Sequence, residues 1–159
     1  MSAVSQMALL GSKASSSLTT VQISPQSTTA GLAGVVYTIF DLTAAIGNGR
    51  TVASIGYYAT SPETAKVKIG LRNSAGNFTI VADQSVSHPG GGWADFTLSS
   101  PYAVTGTAYY LAKANTGNTG TNDVTGTVAR ALLTGDQTGG PTGGYTENSS
   151  LAFPLRYSY

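Results

Sequence analysis

The chain has 159 residues, of which 41% are hydrophobic and only 9% charged, and a net charge of +1. Its eight Lys and Arg are scattered rather than gathered into a basic stripe, which excludes a nucleic-acid partner, and its apolar content at so small a net charge excludes disorder throughout. Cysteine is absent, and with it disulfides, thiolate metal sites and cysteine nucleophiles.

Residues 1–33 read as an extended N-terminal arm, rich in Ser and Thr and broken by Pro25. Within it Met7, Leu9 and Leu10 form a small apolar plug, and Val21 and Ile23 suggest one short strand; these five are the expected assembly residues. The folded body is expected over 34–159. Strands follow at 35–40, 51–59, 65–73, 77–82, 93–98 and 107–115, with two more at 124–133 and 151–159. Turn clusters separate them, such as Ile46-Gly47-Asn48-Gly49 and His88-Pro89-Gly90-Gly91-Gly92. Period-two alternation is clearest at 66–72, where Val67, Ile69 and Leu71 form a dry face and Lys66, Lys68, Gly70 and Arg72 a wet one. Residues 135–148, rich in Gly and Thr, read as a long loop, a kind that usually carries function or motion. Pro154 lacks an N–H and belongs at a sheet edge or bulge. About eight strands without a helical pattern predict an all-β fold, a single antiparallel β-sandwich of jelly-roll-like form.

The inventory of reactive groups is thin. His88 is the only histidine, and no nucleophile-elbow sequence accompanies it, so it reads as a loop residue rather than part of a triad. A zinc site needs about three His, Cys or carboxylate ligands, which one His and no Cys do not supply. The seven acids mostly stand beside turn residues, where Asp initiates turns, and so read as turn formers rather than a glycosidase pair. No catalytic or metal-ligating residue is assigned, no cofactor is expected, and the chain reads as a non-enzyme. A structural Ca²⁺ is the one metal the loops suit, with Thr121-Asn122-Asp123-Val124 as the candidate segment. Aromatic residues are the better functional material. Trp93, Tyr102 and Tyr145 are the candidate contacts for a glycan or a partner, although the same residue types also fill sandwich cores.

The run from 90 to 112, G-G-G-W-A-D-F-T-L-S-S-P-Y-A-V-T-G-T-A-Y-Y-L-A, together with K-V-K-I-G-L-R-N-S-A-G-N at 66–77, resembles β-sandwich modules of jelly-roll type found in phage virion proteins and secreted bacterial surface proteins. The resemblance spans about residues 50–115. It implies a spacer, attachment module or glycan binder and carries over no catalytic residue. The first residues do not read as a secretory signal, since no basic residue precedes the apolar stretch and that stretch is too short. No run reaches the roughly 18 apolar residues of a membrane span, so no membrane partner is expected. The expected function is therefore a non-enzymatic structural virion protein of a bacteriophage: a capsid decoration, tail or fibre-associated subunit. It would be made in the host cytoplasm and would form homo-oligomers or join other virion proteins through its arm and sandwich faces. The alternative is an extracellular carbohydrate-binding module that recognises surface glycans.

Overall fold

The computed structural model of the chain describes residues 17–24, 29–30, 36–115, 123–124 and 127–159. In chain order the strands are β1 (Thr20–Gln22), β2 (Thr29–Ala30), β3 (Tyr37–Asp41), β4 (Thr51–Ala59), β5 (Glu63–Ser74), β6 (Asn77–His88), β7 (Gly92–Ala103), β8 (Tyr109–Asn115), β9 (Asp123–Val124), β10 (Thr127–Thr134), β11 (Thr146–Leu151) and β12 (Leu155–Ser158). No helix occurs among the described residues. The strands form a four-stranded sheet ordered β1-β12-β4-β7 and a six-stranded sheet ordered β11-β10-β3-β8-β5-β6, with β2 and β9 paired separately. Every pairing is antiparallel. When the β10–β11 hairpin and the β2–β9 pair are set aside, eight strands remain. Their order is first-eighth-third-sixth in one sheet and second-seventh-fourth-fifth in the other. That is the strand order of a jelly roll, so the fold is an antiparallel jelly-roll sandwich.

In this topology β1 is the first of the eight strands. It pairs with the C-terminal strand in the register Thr20↔Ser158, Val21↔Tyr157, Gln22↔Arg156. Thr19 and Tyr159 exchange backbone hydrogen bonds at 3.0 and 3.1 Å, and Ile23 is buried between the sheets. The sandwich therefore begins near Thr20, well before residue 34. Val21 and Ile23 are used inside the chain, while Met7, Leu9 and Leu10 lie outside the described residues.

The main core lies between the sheets and takes Ile39, Val67, Ile69 and Leu111 from one and Val52, Ile55, Tyr57, Leu155 and Tyr157 from the other. Leu71 is partly buried against it. A second cluster of Phe40, Phe78, Ala112, Ala131 and Tyr145 lies on the far face of the six-stranded sheet. Alternation requires this, because Phe40 follows Ile39 and Ala112 follows Leu111. Phe40 and Phe78 stack at 4.3 Å, and Tyr145 meets both edge-on. Small residues make room for these rings: Ala112 and Ala131 flank Phe40 in register, and a Cβ on Gly70 would strike the Phe40 ring.

This second cluster is roofed by residues 135–145, which connect β10 to β11 as a strap. The strap is tied to β6 by Phe78 and Thr142, which exchange bonds at 3.0 and 2.8 Å, and by the Ile80 N–H donating to Gly139 O at 2.7 Å. Residues 146–148, read from sequence as loop, belong to β11. The strap also overturns the assignment of Lys68 to a wet face. Lys68 does point away from Val67 and Ile69, but it is 0% exposed, with Asp136 of the strap above it and Asp83 of β6 beside it.

Candidate functional site

Among the described residues the one large apolar side chain left exposed is Leu18, at 53%, immediately before β1. It stands where residues 1–16, with Met7, Leu9 and Leu10, join the folded body.

At the opposite edge of the same sheet, β7 runs beside β6, the terminal strand of the other sheet. One side chain bridges the two. The Gln84 amide donates to Thr97 O at 2.9 Å and accepts from the Ser99 N–H at 2.7 Å, as a short length of partner strand would. Beside this clip is an open groove of about 170 Å³, with Val81, Leu98, Pro101 and Tyr102 among its apolar lining and Ser99 and Ser100 among its polar lining. Tyr102 lies against Tyr109 at 5.8 Å, and burial, followed by its bond to Tyr109, pushes its phenol up to about 12.

The outer face of the four-stranded sheet is mostly polar. Thr20, Ser158, Ser54 and Thr97 form one rung across all four strands, and Gln22, Arg156, Gly56 and Asp95 form the next. Arg156 reaches across β4 to grip Asp95 through two bonds of 2.7 and 2.5 Å. A Cβ on Gly56 would collide with that carboxylate, so glycine is what lets the pair span the strand. The Arg156 guanidinium lies 4.6 Å over the Trp93 ring, and Tyr58 meets Trp93 edge-on at 6.0 Å. The result is a half-exposed patch of indole, phenol, guanidinium and carboxylate.

Other ionisable groups among the described residues are engaged internally. Lys66 and Lys68 both contact Asp136, at 2.5 and 2.9 Å, and Lys68 contacts Asp83 at 2.8 Å. Burial works against the Asp136 charge, yet its bonds to Lys66 and Lys68 outweigh it and hold the carboxyl below its ordinary range. Glu147 is held low chiefly by Arg72 and also accepts the Gly76 N–H at 2.8 Å. Between the sheets, buried Lys113 pairs with Glu63 and lies over the rings of Tyr57 at 4.4 Å and Phe153 at 4.3 Å. Burial is the main cause pushing the Tyr57 phenol far up, with Glu63 adding to it. His88, expected in a loop, ends β6 at 3% exposure. Its Nδ1 accepts the Gly90 N–H at 2.8 Å and its Nε2 faces Tyr57 O at 3.1 Å, an arrangement that suits the neutral ring with its proton on Nε2.

The three aromatic residues read from sequence are thus placed apart. Trp93 is on the outer face and Tyr102 beside the groove. Tyr145, the last residue of the strap, is 5% exposed with its ring against Phe40 and Phe78 and its phenol raised by burial, and offers no surface contact. Sequence reading missed Tyr58, Asp95 and Arg156 beside Trp93, and Gln84 beside Tyr102. These groupings arise from register between β4, β7 and β12 and from the meeting of two sheet edges, which a linear pattern does not display. The 121–124 candidate for Ca²⁺ lies outside the described side chains. Among the described residues no three His or carboxylate groups are placed to share a metal.

Fold and surfaces together define a jelly-roll sandwich with a tied outer strap, a clipped edge seam and an apolar exit point for its N-terminal segment. Comparison with protein-family models, curated proteins and solved structures finds no match for the chain.

Proposed function

We propose that this protein is a non-enzymatic structural subunit of a bacteriophage virion that joins copies of itself or neighbouring virion proteins through its N-terminal segment. The observation that carries the reading is Leu18, a large apolar side chain standing in water at the root of a segment that itself carries Met7, Leu9 and Leu10. Each such side chain gains from burial in a neighbour, about 25 cal/mol per Å² of apolar surface removed from water. The jelly roll, a fold that serves both capsid proteins and lectins, agrees with this use without requiring it. The test is to compare the full chain with a variant lacking residues 1–16 by light scattering, and to ask whether either co-purifies with particles. The truncated protein should keep its fold and lose assembly. A truncated protein that assembles as before, or a full chain that stays monomeric at every concentration, removes the reading.

A second reading, glycan attachment, is favoured by the Trp93 patch. Arg156 lies over the Trp93 ring at 4.6 Å, and the Asp95–Arg156 pair supplies acceptors and donors beside it. Trp93 is the only tryptophan, so its fluorescence reports directly on that face. Titration with oligosaccharides should shift the emission if this face is the site, and a flat response across a glycan panel removes it.

A further inference from the structure

We propose that the groove between β6 and β7 receives the apolar plug at residues 7–10 of a neighbouring copy, so that copies join head to tail. The proposal rests on the assembly reading above and adds the receiving surface. It takes its occupant from the chain outside the described region and from where that chain meets the fold. Ser17 and Leu18 lead into β1, at the opposite edge of the four-stranded sheet from β7. Three strand spacings, about 14 Å, separate the two edges. The nine residues from Leu18 back to Leu9 reach about 30 Å when extended, enough to cross an interface into an adjoining subunit.

The groove suits such a plug. Its lining mixes Val81, Leu98 and Tyr102 with Asp83, Gln84 and Ser100, and its volume of about 170 Å³ is on the scale of one large aliphatic side chain. The Gln84 clip fixes the spacing of the two edges, so the groove exists before anything enters it. The same clip occupies the open edge of β7 at Thr97 and Ser99, and Pro101 has no N–H to offer. An incoming segment is therefore held by burying its side chains rather than by adding a strand to β7. The donor segment and the receiving groove are different surfaces, so a one-way contact between copies is heterologous. Repetition of it closes a ring or extends a filament.

The absence of native cysteine makes a cross-link decisive. Leu9→Cys and Ser100→Cys, made as separate proteins and mixed under oxidising conditions, should yield a covalent dimer of one copy of each. The double variant should yield a ladder. Yields should exceed those of a control pairing Leu9→Cys with Ser149→Cys on β11 by about tenfold, the advantage that docking gives over free collision. Three results overturn the proposal: a disulfide closed within one chain, a yield equal to the control, or no cross-link in protein that light scattering shows to be assembled. That last result leaves the assembly reading standing, whereas protein that never assembles removes both.

Discussion

Lys68 is held between two carboxylates and out of water, and its replacement probes the outer face of the six-stranded sheet. Lys68→Ala leaves Asp83 and Asp136 with only the more exposed Lys66 between them, 2.5 Å from Asp136 and 3.9 Å from Asp83. Removing one partner of a buried pair costs about 3–5 kcal/mol, and the lower end applies here because both acids keep about a quarter of their side chains in water. Lys66 is 25% exposed, so Lys66→Ala should cost no more than about 1 kcal/mol. Urea unfolding of the two variants checks the difference, and two equally small losses would mean that the strap does not enclose Lys68. The sequence was right about direction and wrong about burial. Alternation along 66–72 correctly sets Lys68 opposite Val67 and Ile69, but a strap arriving from 135–145, far along the chain, carries no signal in that stretch. Phe40 and Phe78 were the available hint. They have the parity of an outward face, and Gly70, Ala112 and Ala131 leave them space.

At the level of elements, β1 and the strap separate local signal from tertiary demand. Three residues, Thr20 to Gln22, are too few for a periodic pattern, and only closure of the jelly roll makes them a full member of the sheet. Truncation through residue 24 should therefore destabilise the body where truncation through residue 16 does not. Losing the burial of Ile23 alone costs about 1.5–3 kcal/mol, and β12 also loses its partner on that side. Thermal unfolding of the two truncations makes the comparison, and equal midpoints would remove β1 from the structural core. The strap predicts a pH dependence. Asp136 and Glu147 titrate below their ordinary range in the fold, so their contribution is present above the unfolded values, near 4, and is lost as pH falls through the lower folded ones. Lys66 is shifted upward by its bond to Asp136, so its share persists through neutrality and fades only at strongly alkaline pH. Stability should hold from neutrality to about pH 5 and drop below it, and Asp136→Asn should flatten the drop. An unchanged acid limb in that variant would show that other groups govern acid unfolding.

For the whole molecule, alternation and turn chemistry made the fold class legible, and most predicted strands reappear, those at 65–73, 77–82 and 93–98 with longer limits. Strand order was not legible, because antiparallel pairing between β1 and β12 or between β3 and β10 joins residues more than eighty positions apart. The candidate surfaces were hidden for the same reason. Trp93 was visible as a residue, but its neighbours Arg156 and Tyr58 come from other strands. The distribution of charge carries a final expectation. Lys66, Lys68, Arg72, Lys113 and Arg156 each pair with an acid of the same chain, and the chain as a whole is nearly neutral. An interface drawn from Leu18, the apolar plug and the hydroxyl- and amide-rich faces then depends on apolar burial and neutral hydrogen bonds, which salt does not screen. Assembly measured by light scattering should persist as NaCl is raised from about 50 to about 500 mM, beyond the range in which separated surface charges still interact strongly. Sulfate salts should strengthen it by favouring apolar burial. A tenfold or larger loss of association in NaCl would instead mean that these internal pairs open and re-form between subunits, making charge the basis of assembly.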